Sequence, residues 1–160
     1  MSKRKKILIG LALVTLVAGL CVLSFFYAFR KGIQAGGMSS SMGEFFVFQQ
    51  HMDAQMANAN CEGVKQAIND YLDIVAKYKD KDGSFINSTT YYGDKVLGHT
   101  RLARIERHLK NDAAADDQMK MAIEACRLHG WQDCSDAKLI FYSKKLEEKN
   151  PIACLSNMEK

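Results

Sequence analysis

Residues 125–134 read ACRLHGWQDC. Cys126, His129 and Cys134 are residue types that hold zinc. A Cys-x-x-His pair at a helix end presents two ligands on one side, and Cys134 adds a third. A structural zinc site takes four, and the fourth would have to come from Asp133, Asp136 or a distant group. Seven residues lie between the two cysteines, so the Cys-x-x-Cys spacing of a redox dithiol is missing. The remaining chemistry is a disulfide that clamps a turn, with Trp131 covering it. Which of these holds depends on whether the chain meets an oxidising compartment.

Other residues invite similar questions. Met38, Met42, Met52 and Met56, with His51, are soft ligands suited to Cu(I). Met52 and Met56, however, fall on an apolar helical stripe, where methionine fills core space. The densest basic stretch is HTRLARIERH, His99–His108. Arg101, Arg104 and His108 share one helix face, opposite Leu102, Ile105 and Leu109. With Trp131 they form the candidate partner surface. The competing reading is a solvated face paired with Glu106 and the following Asp112, Asp116 and Asp117. No His-Glu-x-x-His, Gly-x-Ser-x-Gly, P-loop or dinucleotide fingerprint occurs. No catalytic residue, cofactor site or metal ligand is therefore assigned, and the chain reads as a non-enzyme.

The elements that must position these residues begin with the N-terminus. Residues 1–6 carry Lys3, Arg4, Lys5 and Lys6, and Ile7–Phe29 is a 23-residue run without charge. About 20 apolar residues span a bilayer core as a helix. The run is longer than the core of a signal peptide, ends in aromatics and is followed by Arg30-Lys31. It predicts an uncleaved, single-pass signal anchor with residues 1–6 cytoplasmic. The expected location is a bacterial inner membrane, with the C-terminal part periplasmic. In a eukaryotic secretory setting the same anchor would make Asn87-Ser-Thr a glycosylation acceptor.

The anchor changes the meaning of the charge. The whole chain is +4, but six positive charges and no negative one lie in residues 1–31, leaving −2 for residues 32–160. The basic balance is thus a topology signal, and no nucleic-acid partner is expected.

Residues 30–43 are rich in Gly and Ser and read as a flexible tether. Residues 44–160 form one small exported domain. From 45 to 78 apolar or small residues recur every three or four positions, as one helix or as two broken near Asn58–Asn60, with Asn60 capping the second. Gly83 marks a stop. A helix over roughly 94–110 should bury Leu102, Ile105 and Leu109. Asp112 reads as the cap of the next, which ends at His129 with Gly130 beyond it. Ser135 reads as the cap of the last, over 136–149, burying Leu139, Ile140, Tyr142 (or Ser143) and Leu146. The expected fold is all-α: a transmembrane helix followed by a disulfide-stapled bundle of four to five helices.

Four of the five cysteines lie outside the anchor. In an oxidising space an even count reads as disulfides. The last helix, about 14 residues at 1.5 Å each, separates its ends by about 21 Å, whereas bonded Cα atoms lie within about 7 Å. That disfavours Cys134–Cys154, and Cys126, beside the start of the same helix, is equally far from Cys154. The remaining pairing is Cys126–Cys134 with Cys61–Cys154.

The functional expectation is a membrane-anchored periplasmic module that binds another envelope protein, as an accessory or immunity-type component. The alternatives are a sensor or carrier of a small ligand or metal and, less favoured, a small envelope hydrolase. No cofactor is implied.

Overall fold

The computed structural model describes residues 3–58, 60–81, 84, 86–148 and 151–156; within the first helix the side chains of 3–18, 33–35 and 37–41 lie outside that description. The described residues form α1 (Lys3–Met56), α2 (Cys61–Tyr78), α3 (Ser88–His108), α4 (Asp112–His129), α5 (Asp136–Glu147) and a single turn, α6 (Ala153–Ser156). The all-helical class and both disulfides agree with the sequence.

The segment expected to span a membrane, 7–29, lies within α1, but the side chains of its first twelve residues are outside the described set. Among the described residues no helix is long and apolar enough to cross a membrane. The stretch 30–43, expected to be a flexible tether, is helical as part of α1. Extending a nucleated helix adds one hydrogen bond per residue fixed. Glycine opposes this by only about 1 kcal/mol per residue, and no proline interrupts the run.

The break between α1 and α2 falls where Asn60 was expected to cap. Its Oδ1 accepts from the backbone N–H of Glu62 at 3.1 Å and of Gly63 at 3.4 Å. The other end of α2 differs from expectation. It stops at Tyr78, and Asp80 takes up a left-handed conformation (φ 53°); Gly83 lies outside the described residues. Helix α3 starts six residues before the expected 94, because the Asn87 side chain accepts from the Thr90 N–H at 3.0 Å. Asn111, not Asp112, occupies the cap position of α4, and its side chain is turned back to Glu106 at 3.1 Å. Gly130 closes α4 as expected, at φ 88°, with its N–H on the Cys126 and Arg127 carbonyls at 3.1 Å each.

Helix α3 is the centre of the domain and packs against α2, α4 and α5. Two cores meet on it. Met52, Met56, Val64, Ile68, Val75, Leu102, Ile105 and Ile152 form one. Val96, Ala103, Met119, Ala122, Cys126 and Leu139 form the other. A helix buried on two sides needs small residues. A Cβ on Gly98 would stand 2.8 Å from Leu72 Cδ2, and the fully buried Thr100 satisfies its hydroxyl on the Val96 carbonyl at 2.7 Å. The expected single stripe of Leu102, Ile105 and Leu109 is correct for the first two only. Leu109 is 40% exposed, because α3 has ended one residue before it.

The stripe expected on α5 needs a larger correction. Leu139 is buried, but Tyr142 and Leu146 are exposed and Ile140 is only partly buried. The inward positions are Leu139, Ser143, which was the stated alternative to Tyr142, and Glu147. The α5 face toward α3 therefore becomes polar over its second half.

Candidate functional site

Cys126 and Cys134 are bonded, with Cα atoms 5.8 Å apart, and so are Cys61 and Cys154, at 5.4 Å. Neither thiolate of ACRLHGWQDC is available to a metal, and the segment is a stapled corner between α4 and α5. Asp133 Oδ1 accepts from the Ser135 N–H at 3.0 Å, which holds the Asp133 carboxyl below its usual range. Asp133 thus forms an Asx turn leading into α5, whose cap residue Ser135 makes no capping bond through its own side chain. The half-buried Trp131 ring stands edge-on between His129, at 5.2 Å, and Tyr142, at 5.6 Å. Met52 and Met56 are core residues, 6% and 2% exposed.

The four residues of the expected partner surface are not brought together. Arg101 and Arg104 turn under α5 onto one carboxylate. Arg104 Nη1 donates to Glu147 Oε2 at 2.6 Å, and Arg101 Nε to Oε1 at 3.4 Å. Ser143 donates to Glu147 Oε1 at 2.7 Å and accepts from Arg104 at 3.1 Å. This network is largely buried: the side chains of Arg101, Arg104 and Glu147 are 13%, 14% and 6% exposed. The basic stretch is consumed elsewhere too. Arg107 meets Asp116 at 3.1 Å, but Glu106, which the competing reading gave to this face as a partner, pairs with Lys65 at 2.6 Å. His108 is half-buried at the end of α3.

Two adjoining cavities share Leu97 and Leu146 as walls. The larger, about 1000 Å³, opens along the stapled corner, with Trp131, Tyr142, Leu146 and Leu97 as its apolar surface and Lys138, Lys145, Asp133 and Glu148 around it. The smaller, about 260 Å³, lies between α1, α2, α3 and α5, where Met52, Met56, Tyr71, Asp94 and Arg101 converge with Asp53 and Gln49.

Asp94 is the unusual group of the smaller cavity. Its Oδ2 is buried and, among the described residues, has no hydrogen-bond partner. Burial pushes its carboxyl up to about 6, against the opposing pull of a hydrogen bond from Tyr71 and the charge of Arg101. The Tyr71 phenol is itself held far above its usual range by burial, then by the Asp94 charge. An unmet buried acceptor costs about 1–3 kcal/mol. Sequence reading passed over Asp94 as a helix start. The available signal was its spacing of four to Gly98 and seven to Arg101, which puts an acid and a base on one face of a central helix.

This has a measurable consequence. The folded chain holds the Asp94 proton up to about pH 6, whereas an unfolded aspartate loses it near ~4. Between those values the folded state binds more protons, so stability declines as the pH rises through that window and the cost persists above it. After discounting for partial exposure, the cost is on the order of 2 kcal/mol at neutral pH. Asp94→Asn is expected to be more stable than the parent at pH 8 by about that amount and no different at pH 4. Urea unfolding at the two pH values checks this; a variant less stable at pH 8 than at pH 4, relative to the parent, would contradict it.

No protein-family model, curated protein or solved structure matches the chain.

Proposed function

We propose that the chain is a membrane-anchored interaction module whose helical domain, exported across the membrane, docks a segment of another envelope protein in the open groove at the stapled corner. The observation that carries this reading is the groove itself. It is about 1000 Å³, is lined by Leu97, Trp131, Tyr142 and Leu146, and runs along the turn that the Cys126–Cys134 disulfide closes. That size is at the upper end for small-molecule sites, and an open apolar trough suits two or three anchoring side chains of a partner. Leu146 within it is 54% exposed, and Phe141, 55% exposed and in ring contact with Tyr142, extends the apolar surface beyond it. Exposed contiguous apolar surface of this kind marks interaction sites. Charges of both signs around the groove match a protein partner better than a polyanion.

The anchor is supported by the 23 uncharged residues of 7–29 and by the described part of α1. Leu20, Val22, Leu23, Phe25, Phe26, Tyr27 and Phe29 are all more than half exposed there. An apolar helix with side chains this exposed among the described residues suits a lipid surrounding. The expected orientation places Lys3–Lys6 in the cytoplasm and the disulfides in an oxidising space.

The test is in-membrane photocrosslinking from position 142, followed by mass spectrometry. One dominant protein adduct is expected, reduced at least ~10-fold by Leu146→Glu or Trp131→Ala, as befits loss of a buried anchor. Adducts to lipid alone, or protein adducts unchanged by both variants, would end this reading.

A further inference from the structure

We propose that the smaller cavity binds a small organic monocation, a primary ammonium on a short aliphatic body, with the Asp94 carboxylate as its counter-charge. The proposal is independent of protein docking in the neighbouring groove.

Three features converge on it. The first is the acceptor. Asp94 Oδ2 is shielded from solvent yet unpartnered among the described residues, and the Asp94 residue lines a cavity of about 260 Å³. An ammonium N–H supplies the missing donor and a neutralising charge together. The second is the wall. Met52, Met56, Leu97 and Leu146 give a lining for an aliphatic body, and the Tyr71 ring beside Asp94 adds a face that attracts cations. The third is the charge of the surroundings. Asp53 on α1 lines the same cavity. Arg101 on α3 is drawn to Glu147 on α5, with which its Nε is bonded. Tyr71 on α2 is neutral, its phenol held above its usual range. An anionic ligand would meet two carboxylates.

The same inventory selects against a polyvalent metal. Calcium takes roughly six to eight oxygen ligands, and among the described residues no group of three or more His, Cys, Asp or Glu side chains is placed to hold an ion. A monocation needs one carboxylate and a few acceptors, which Asp94, Asp53 and Gln49 provide. The ammonium form needs Asp94 ionised, so affinity falls on acidification.

The experiment titrates n-butylammonium chloride into the full chain in detergent, with the methionine methyl groups labelled with carbon-13 and followed by NMR at pH 7.5 and pH 5. 1-Butanol and sodium butyrate serve as neutral and anionic matches. Saturable shifts confined to Met52 and Met56 are expected for n-butylammonium, with affinity at least tenfold above that for 1-butanol and none for butyrate. Asp94→Asn should lower the n-butylammonium affinity at least tenfold, with Met119 and Met121, in the other half of the domain, unshifted as the sign of an intact fold. Equal binding of 1-butanol, no saturable shift at Met52 or Met56, or full affinity in the folded variant would each overturn the proposal. Were the variant misfolded, the parent decides alone: affinity unchanged between pH 7.5 and pH 5 also overturns it.

Discussion

Replacing Cys61 and Cys154 together by serine will lower the unfolding free energy by about 4 kcal/mol, roughly twice the loss from removing Cys126 and Cys134. The difference comes from the unfolded chain. The first bond closes a loop with a sequence separation of 93 and the second one of only 8. The entropy withheld from the unfolded state grows with the logarithm of loop length. The longer link also has more to hold. Ile152, 2% exposed, and Cys154, 4% exposed, are the tail's contribution to the core built by α1, α2 and α3. Without the bond the tail must dock on α2 from free solution, so fraying of 151–156 should precede global unfolding. Urea titration of the two double variants of the full chain in detergent, followed by far-UV circular dichroism, measures both losses. A smaller loss for the Cys61/Cys154 variant than for the Cys126/Cys134 variant would refute the assignment of the main restraint to the tail.

Glu147→Gln is expected to cost about 3 kcal/mol, the lower part of the range for breaking a buried ion pair from one side. Glu147 is the single acceptor that two guanidinium groups and one hydroxyl converge on. Glutamine keeps the shape and one carbonyl acceptor but takes from Arg101 and Arg104 the carboxylate they share. Their side chains are only 13% and 14% exposed, so water offers little relief. Because the cost lies in the stranded charges, removing one of them should recover part of it. Arg104→Met in the Glu147→Gln background is expected to be more stable than Glu147→Gln alone, although Arg104→Met by itself is destabilising. A double-mutant cycle from urea midpoints gives the coupling directly. Strictly additive losses would show that the network contributes little to holding α5 on α3.

Several features of this domain were legible without coordinates, and they share a cause. The Asn60 cap, the Gly130 terminus and the buried faces of Met52, Met56, Ala67, Tyr71 and Val75 follow from backbone hydrogen bonding and helical period, which act within a few residues. The disulfide pairing was legible for a related reason. A helix has a fixed rise, so a 12-residue α5 keeps Cys134 and Cys154 apart whatever it packs against. The early start of α3 was missed because Ser88, Thr89 and Thr90 suit a turn as well as a first helical turn. The choice fell to the Asn87 side chain and to packing of Tyr91 on the core.

The fate of the charged and amphipathic residues needed the tertiary structure. Arg101 and Arg104 looked like a surface because basic residues usually are. They are internal because α5 crosses that face of α3 and brings Glu147, 43 residues from Arg104, to meet them. The same crossing turns Tyr142 and Leu146 outward into a groove, and the meeting of α1, α2 and α3 encloses Asp94 beside Tyr71. Local sequence determined where helices begin, how long they are and which cysteines can reach each other, since those depend on the chain's own geometry. Only the tertiary structure decided which charges are buried, which apolar side chains are left open and where a carboxylate lacks a partner, because burial belongs to the neighbour that a helix acquires and not to the helix.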